Sequence, residues 1–473
     1  FGRRPTLTAD IAIVRTTDGG DNWFAMNEPQ DADTGIPSDD FTRGQAWYDL
    51  TLAVHPTNPN KVITGGIDLF KTTDGGTNWT QISEWHAGIP GSAPVVHADQ
   101  HEILYRPGFP DQAIFGNDGG VYYATNLDGT PNISVRNNNY NVTQFYTAAL
   151  HPTSADYMLG GTQDNGTQKF TQSGFAGTSE AFGGDGALCF IDQLTPNIQI
   201  VSYVYNNIYL STNGGASFNP GTPLLEDNNS GNFINVGEYD PNLKILYTAK
   251  SDADIYRITG IGGTKNIGTV SVDLGSMVTA MRLSPFVTNA SNLYLGTAAG
   301  RLFRIENAHT GSGTPTEITG PDFSNGSISG IAFGADEDQM LVTFSNYGVV
   351  SVWETRDGGA TWIDREGNLP NMPVRWVEYH PHNPDQAYLA TELGVWSTDN
   401  INVADPVWTP TNGGLANVRT DMLRIRPSDG IMMASTHGRG VFTAIIPAQL
   451  QQEITFNALA PKTFGGASFN LQA

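Results

Sequence analysis

A single cysteine in 473 residues, Cys189, excludes an internal disulfide framework, and its setting ALCFI marks it as a small buried core residue. No apolar run approaches the roughly 18 residues that a membrane-spanning helix needs, so no such segment is expected. Basic side chains are scarce. The 24 lysines and arginines face 47 aspartates and glutamates, a net charge of −23 that repels a phosphate backbone and argues against a nucleic-acid partner. The adjoining Arg3 and Arg4 read as an exposed terminus rather than a basic patch. Sustained apolar periodicity of 3.6 residues is also missing, which predicts almost no helix. The chain does not begin with Met, so the absence of a leader says nothing about export, and neither does the low cysteine content.

What the chain has is turns, with 54 glycines and 27 prolines. One signature occurs four times: TTDGGDNW from Thr16, TTDGGTNW from Thr72, STNGGASF from Ser211 and TRDGGATW from Thr355. In each, the short side chain of Asp18, Asp74, Asn213 or Asp357 is suited to accept backbone N–H groups and fix a turn. The glycine pair permits positive φ where the chain reverses. Trp23, Trp79, Phe218 and Trp362 then open the next strand, where a large ring is expected to pack between neighbouring repeat units.

A second repeat sets the period. Proline-bearing turns at Pro56, Pro107, Pro152, Pro196, Pro241, Pro285, Pro381 and Pro427 follow one another at 51, 45, 44, 45, 44, 96 and 46 residues, and the polar stretch Gly334 to Asp338 fills the long gap. Short alternating apolar runs flank each turn, giving four short strands per roughly 45 residues. This pattern predicts an all-β fold, a β-propeller of about nine four-stranded blades. They form one large ring or parts of two tandem rings, with the core distributed between adjacent blades.

The four signatures resemble the Asp-box, or BNR repeat. The phrases GQAWYDLTLAVHPTNPNKVITGGIDLFKTTDGGTNW, VHADQHEILYRPGFPDQAIFGNDGGVYYAT, NNNYNVTQFYTAALHPTSADYMLGGTQDNGT and FGGDGALCFID look like successive blades of secreted bacterial sortilin-type propellers, often labelled glycosyl hydrolases. The resemblance covers nearly the whole chain and implies a secreted or surface-displayed location. Residues 1–447 are expected to form the propeller. Residues 448–473, with ITFNALAPKTFGG, resemble a linker and the opening of a small β-sandwich repeat found in large surface proteins of Bacteroidota. Further domains are accordingly expected, and the first blade, entered at its third strand, either shares strand pairing with the C-terminal end or lacks strands and blades that lie upstream of Phe1.

The candidates for chemistry are few. His97, Asp99 and His101 alternate along an expected strand, which would set all three on one face as a metal or acid/base cluster requires; lining or interblade bonding is the structural alternative. Asp99, Asp164 in GTQDNGT and Asp185 in FGGDG are the carboxylates placed to serve a glycosidase, or else to form turns. No cofactor is implied. The RIP phrase and the arginine triad of sialidases are missing, and VRTTDGGDNWF stands where two-ring xyloglucan-cleaving enzymes carry a catalytic aspartate. Trp47, Tyr48, Trp85, Tyr140, Tyr146, Trp376 and Trp396 fall near strand ends or loops, where flat rings stack on sugars or anchor a protein partner. The expected function is therefore a binding or scaffolding module for a glycan or protein. A glycoside hydrolase of the Asp-box type and an assembly factor that grips a protein partner are the alternatives.

Overall fold

The computed structural model describes residues 12–33, 38–86, 93–174, 177–219 and 221–446. Both the Arg3–Arg4 pair and the module expected at 448–473 lie outside these residues. The chain is all-β, with ten antiparallel sheets of two to four strands among the described residues. Among the described residues the only helical turn is the 3-10 segment Ala308–Thr310. Two compact units emerge. Among the described residues the first holds those from 12 to 143 with Thr162–Gly166 and those from 173 to 185, and the second holds Gln144–Gly161, Thr167–Gln172 and those from 186 to 446.

The first unit contains the short pair Val14–Arg15 and Phe24–Ala25 and two four-stranded sheets. One runs through Thr51–Val54, Val62–Gly65, Leu69–Thr72 and Thr80–Gln81; the other runs through Gln100–Arg106, Phe109–Asn117, Gly120–Thr125 and Asn132–Val135. Their apolar residues meet face to face, with Ile63, Leu69 and Ile82 packed against Ile103, Phe115 and Ile133. Each such buried side chain contributes on the order of 1.5–3 kcal/mol.

In the second unit seven strands open successive sheets: Phe145–Leu150, Cys189–Ile191, Gly237–Asp240, Val278–Leu283, Ile328–Phe333, Val374–His380 and Thr420–Arg426. They begin 41 to 50 residues apart, in keeping with the expected period. The gap after Pro285 is filled as expected, since Gly334 to Asp338 lies in the turn between Ile328–Phe333 and Met340–Phe344. Apolar clusters bridge consecutive sheets: Tyr247 and Ile255 join Leu293 and Phe303, Tyr294 and Leu302 join Val342 and Trp353, and Ala332 and Leu341 join Leu389 and Trp408. Phe145–Leu150 packs against both Cys189–Ile191 and Thr420–Arg426, and Met433 sits with Ala148, Leu150 and Met158. Arg426 fastens the same junction through its Nη1, which donates to the carbonyls of His151 and Ser154 at 2.5 and 2.6 Å.

The proline turns have a common mechanism. His55 and His151 each accept two backbone N–H groups on Nδ1, from Thr57 and Asn58 and from Thr153 and Ser154, at 3.0–3.2 Å. Asp192 and Asp240 do the same for Leu194 and Thr195 and for Asn242 and Leu243. The residue before the turn is thus a cap, and histidine there is structural.

The four Asp-box-like turns are superimposable in their bonding. The hydroxyls of Thr16, Thr72, Ser211 and Thr355 accept the N–H of Gly20, Gly76, Gly215 and Gly359 at 2.9–3.1 Å. Asp18, Asp74, Asn213 and Asp357 accept the N–H of Asn22, Asn78, Ser217 and Thr361 at 2.8–3.1 Å. Both glycines of each pair have positive φ. Bonding from Asn78 holds Asp74 down at about 2. The rings that follow are less uniform than the motif suggests. Phe218 is buried, Trp79 and Trp362 are half-buried with their indole N–H groups donated to Asn27 and Ile318 carbonyls, and Trp23 is 49% exposed. The expectation of interblade packing therefore fails at Trp23, whose Nε1 instead bonds to Gly20 of its own turn at 3.1 Å.

Candidate functional site: an uncompensated carboxylate cluster beside exposed aromatics

Two loops of the repeat meet in the first unit. Asp49 and Asp99 lie just before the opening strands Thr51–Val54 and Gln100–Arg106, while Asp118 and Asp164 lie just after the second strands Phe109–Asn117 and Met158–Thr162. Equivalent repeat positions thus deliver four carboxylates to one place. Asp118 and Gly119 form the two-residue hairpin loop between Asn117 and Gly120. Gly119 is required there, because a Cβ would come within 2.3 Å of His97 Cβ. Asp99 and Asp164 both have left-handed backbones, at φ 65° and 55°, which few L-residues other than Asn and Asp adopt.

Carboxylate oxygens of Asp99, Asp118 and Asp164 all lie within 4.8 Å of one another. Asp118 is held at both oxygens, by Tyr48 Oη donating to Oδ2 at 2.9 Å and by His101 Nε2 at 2.7 Å from Oδ1. Asp164 Oδ1 accepts Gln163 Nε2 at 2.9 Å. Asp49 is fully buried, and neither of its oxygens has a hydrogen-bond partner. Burial pushes its carboxyl up to about 8, helped by the neighbouring charge of Asp99. Asp164 is pushed up to about 7, and Asp99 is raised, again chiefly by burial. Among the described residues no lysine or arginine forms an ion pair with any of these four.

His97, Asp99 and His101 do gather here, but not along one strand face. The strand begins at Gln100, and the left-handed turn at Asp99 breaks the alternation that was expected. His97 bonds through Nε2 to the Asp164 carbonyl at 2.8 Å. Asp185 supports the loop from behind: its Oδ1 accepts Gln163 Nε2 and the Asp164 N–H, both at 3.0 Å. Asp49 and Asp118 were missed. Their signal was the repeat itself, since AWYD aligns with VHAD ahead of the first strand and NDGG with QDNG after the second.

Aromatic rings border the cluster. Trp47 is 74% exposed, and its ring centroid lies 5.6 Å from that of Tyr48, which stands edge-on to His101 at 4.9 Å. Trp85 belongs elsewhere, over the Arg43 guanidinium at 5.8 Å, and Tyr140 is exposed.

The second unit holds cavities of its own. One of 460 Å³ is lined by Glu238, Asp240, Arg282, Glu378, Arg424 and Arg426, a set of three positive and three negative groups. Arg282 meets Glu378 at 3.0 Å, and Arg424 stands 3.9 Å from both Glu238 and Glu378. Cys189 also lines it, its thiol pushed up to about 11 by burial and therefore inert. Tyr146 and Trp376 line a second cavity of 320 Å³. There the Trp376 ring is covered by Arg424 at 4.8 Å and its Nε1 donates to Glu378 at 2.9 Å, so it is engaged by its own fold. Trp396 is likewise half-buried against an apolar cluster.

No family model matches this chain, and no curated protein matches it.

Proposed function

We propose that the chain is an extracellular recognition module of the Asp-box propeller kind, and that it binds a glycan on the Trp47–Tyr48 face of the first unit. In this reading the seven sheets of the second unit close as a ring of seven blades. The packing of Phe145–Leu150 on both Cys189–Ile191 and Thr420–Arg426 supports that closure.

The observation that carries the binding site is the exposed Trp47 ring beside hydrogen-bonding carboxylates. A flat ring stacks on the C–H face of a sugar, while acidic oxygens accept its hydroxyls. The net charge of −23 favours a neutral ligand over an acidic one. Glycan-array binding followed by calorimetry tests this. Trp47→Ala is expected to weaken the best glycan at least tenfold, in line with loss of one stacking ring worth about 1–3 kcal/mol, and unchanged affinity would refute the assignment.

A glycoside hydrolase remains the second reading, favoured by Asp164, whose carboxyl at about 7 is suited to donate a proton at neutral pH beside Asp99. Release of new reducing ends, abolished by Asp164→Asn, would establish it.

A further inference from the structure

We propose that the cluster of Asp49, Asp99, Asp118 and Asp164 is a binding site for a divalent cation of the calcium type. The donor set is wholly oxygen, which suits a hard cation and disfavours zinc or copper. Three carboxylates already converge, with oxygens mutually within 4.8 Å. Calcium takes six to eight oxygen ligands in flexible geometry, which a set of loop carboxylates can supply, whereas magnesium demands near-octahedral order and usually keeps several waters.

The independent observation is Asp49. A carboxylate that is fully buried with both oxygens unpartnered is costly unless something positive meets it. Its principal charge neighbours are Asp99 and Asp118, so it is directed into the cluster rather than away from it. The other carboxylate cluster of the same unit is met by a counter-charge: Arg43 stands 2.7, 2.7 and 3.6 Å from Asp31, Asp33 and Asp68, although Asp68 Oδ2 is buried without a hydrogen bond there. No arginine or lysine is so placed against Asp49, Asp99, Asp118 or Asp164 among the described residues.

Tyr48 and His101 fix the Asp118 carboxylate from outside, leaving further lone pairs on both oxygens for an ion. His97 is not a ligand through Nε2, which is committed to the Asp164 carbonyl. The ion occupies the floor of the face to which a glycan was assigned, but its binding is measured without sugar, so either proposal can fail alone.

The test is calorimetric titration of the chelator-treated chain with calcium and then magnesium, paired with terbium luminescence excited through the adjacent Trp47 and Tyr48. Saturable calcium binding, at least tenfold weaker for magnesium and accompanied by sensitised terbium emission that calcium displaces, is expected. Asp99→Asn and Asp118→Asn should each weaken calcium at least tenfold, while Asp33→Asn in the arginine-met cluster should change it less than twofold. Circular dichroism establishes that each variant is folded, and an unfolded variant is replaced by Asp164→Asn with the same expectation. Absence of calcium binding by the folded wild-type chain, or binding indifferent to these ligands, would overturn the proposal and leave proton sharing between Asp49 and Asp99 as the means by which the cluster is tolerated.

Discussion

Two acidic clusters within one unit differ in whether a guanidinium meets them. In the first, Asp31 and Asp33 receive the Arg43 guanidinium at 2.7 Å, Gln81 Nε2 donates to Asp33 at 3.2 Å and Ser83 Oγ donates to Asp68 at 2.9 Å. In the second, the side-chain partners of Asp118 are Tyr48 and His101, and among the described residues no arginine or lysine meets Asp49, Asp99, Asp118 or Asp164. Burial of charge is tolerated structurally when a counter-charge and donors accompany it. A cluster denied them, on a loop pair next to an exposed tryptophan, is the one to expect at a site of function. The difference also separates it from the second unit, where Glu238 and Glu378 are matched by Arg282 and Arg424.

Substitution of Arg43 attacks the comparison most heavily. Arg43→Ala leaves Asp31 and Asp33 buried without their cation and should destabilise the protein by about 3–5 kcal/mol in urea unfolding, the range for a broken buried pair. A loss below about 1 kcal/mol would mean that the cluster does not depend on its arginine. Trp362→Ala lies outside both clusters and calibrates them. Its ring touches Phe323 at 4.9 Å and bonds Ile318, so a loss of about 2–4 kcal/mol is expected, whereas the exposed Trp23→Ala should cost less than about 1 kcal/mol.

Charge removal should act with opposite sign in the uncompensated cluster. In chelator, Asp99→Asn relieves repulsion from Asp118 and is expected to stabilise the chain by about 1 kcal/mol, since Asn also accepts the left-handed backbone. Destabilisation in chelator would show that Asp99 has a structural partner of its own. A further expectation concerns pH. Burial pushes Asp68 up to about 8, so the unfolded chain loses that proton near pH 4 while the folded chain keeps it until about pH 8. Its contribution is therefore full below about pH 4 and is lost as pH rises towards 8. Asp68→Asn should flatten the decline of thermal stability between pH 5 and 8, and an unaltered profile would contradict the shift.

Much of this was readable from residue types because the repeat is written in local chemistry. The hydroxyl, Asp or Asn, and glycine pair of each Asp-box-like turn specify their own hydrogen bonds, and the period of the proline turns located the opening strands. What was not legible depends on long-range geometry. Whether the Asp-box ring is buried, as at Phe218, or open, as at Trp23, is decided by what the neighbouring sheet offers. Alternation failed at His97, Asp99 and His101 because one left-handed residue cancels period two. Asp49 and Asp118 sit in ordinary turn phrases, and only the meeting of successive repeats makes them a site. Division of the sheets between two units was equally hidden, since the turn period continues across Thr143 without a composition change.

The contrast between the two clusters is tested most directly by anomalous diffraction from crystals of the chain grown with manganese and calcium in turn. The account predicts one anomalous peak among the carboxylates of Asp99, Asp118 and Asp164, with Asp49 turned to it, and none at Asp31, Asp33 and Asp68. A peak beside Arg43, or fully occupied crystals with no peak at either cluster, would contradict it.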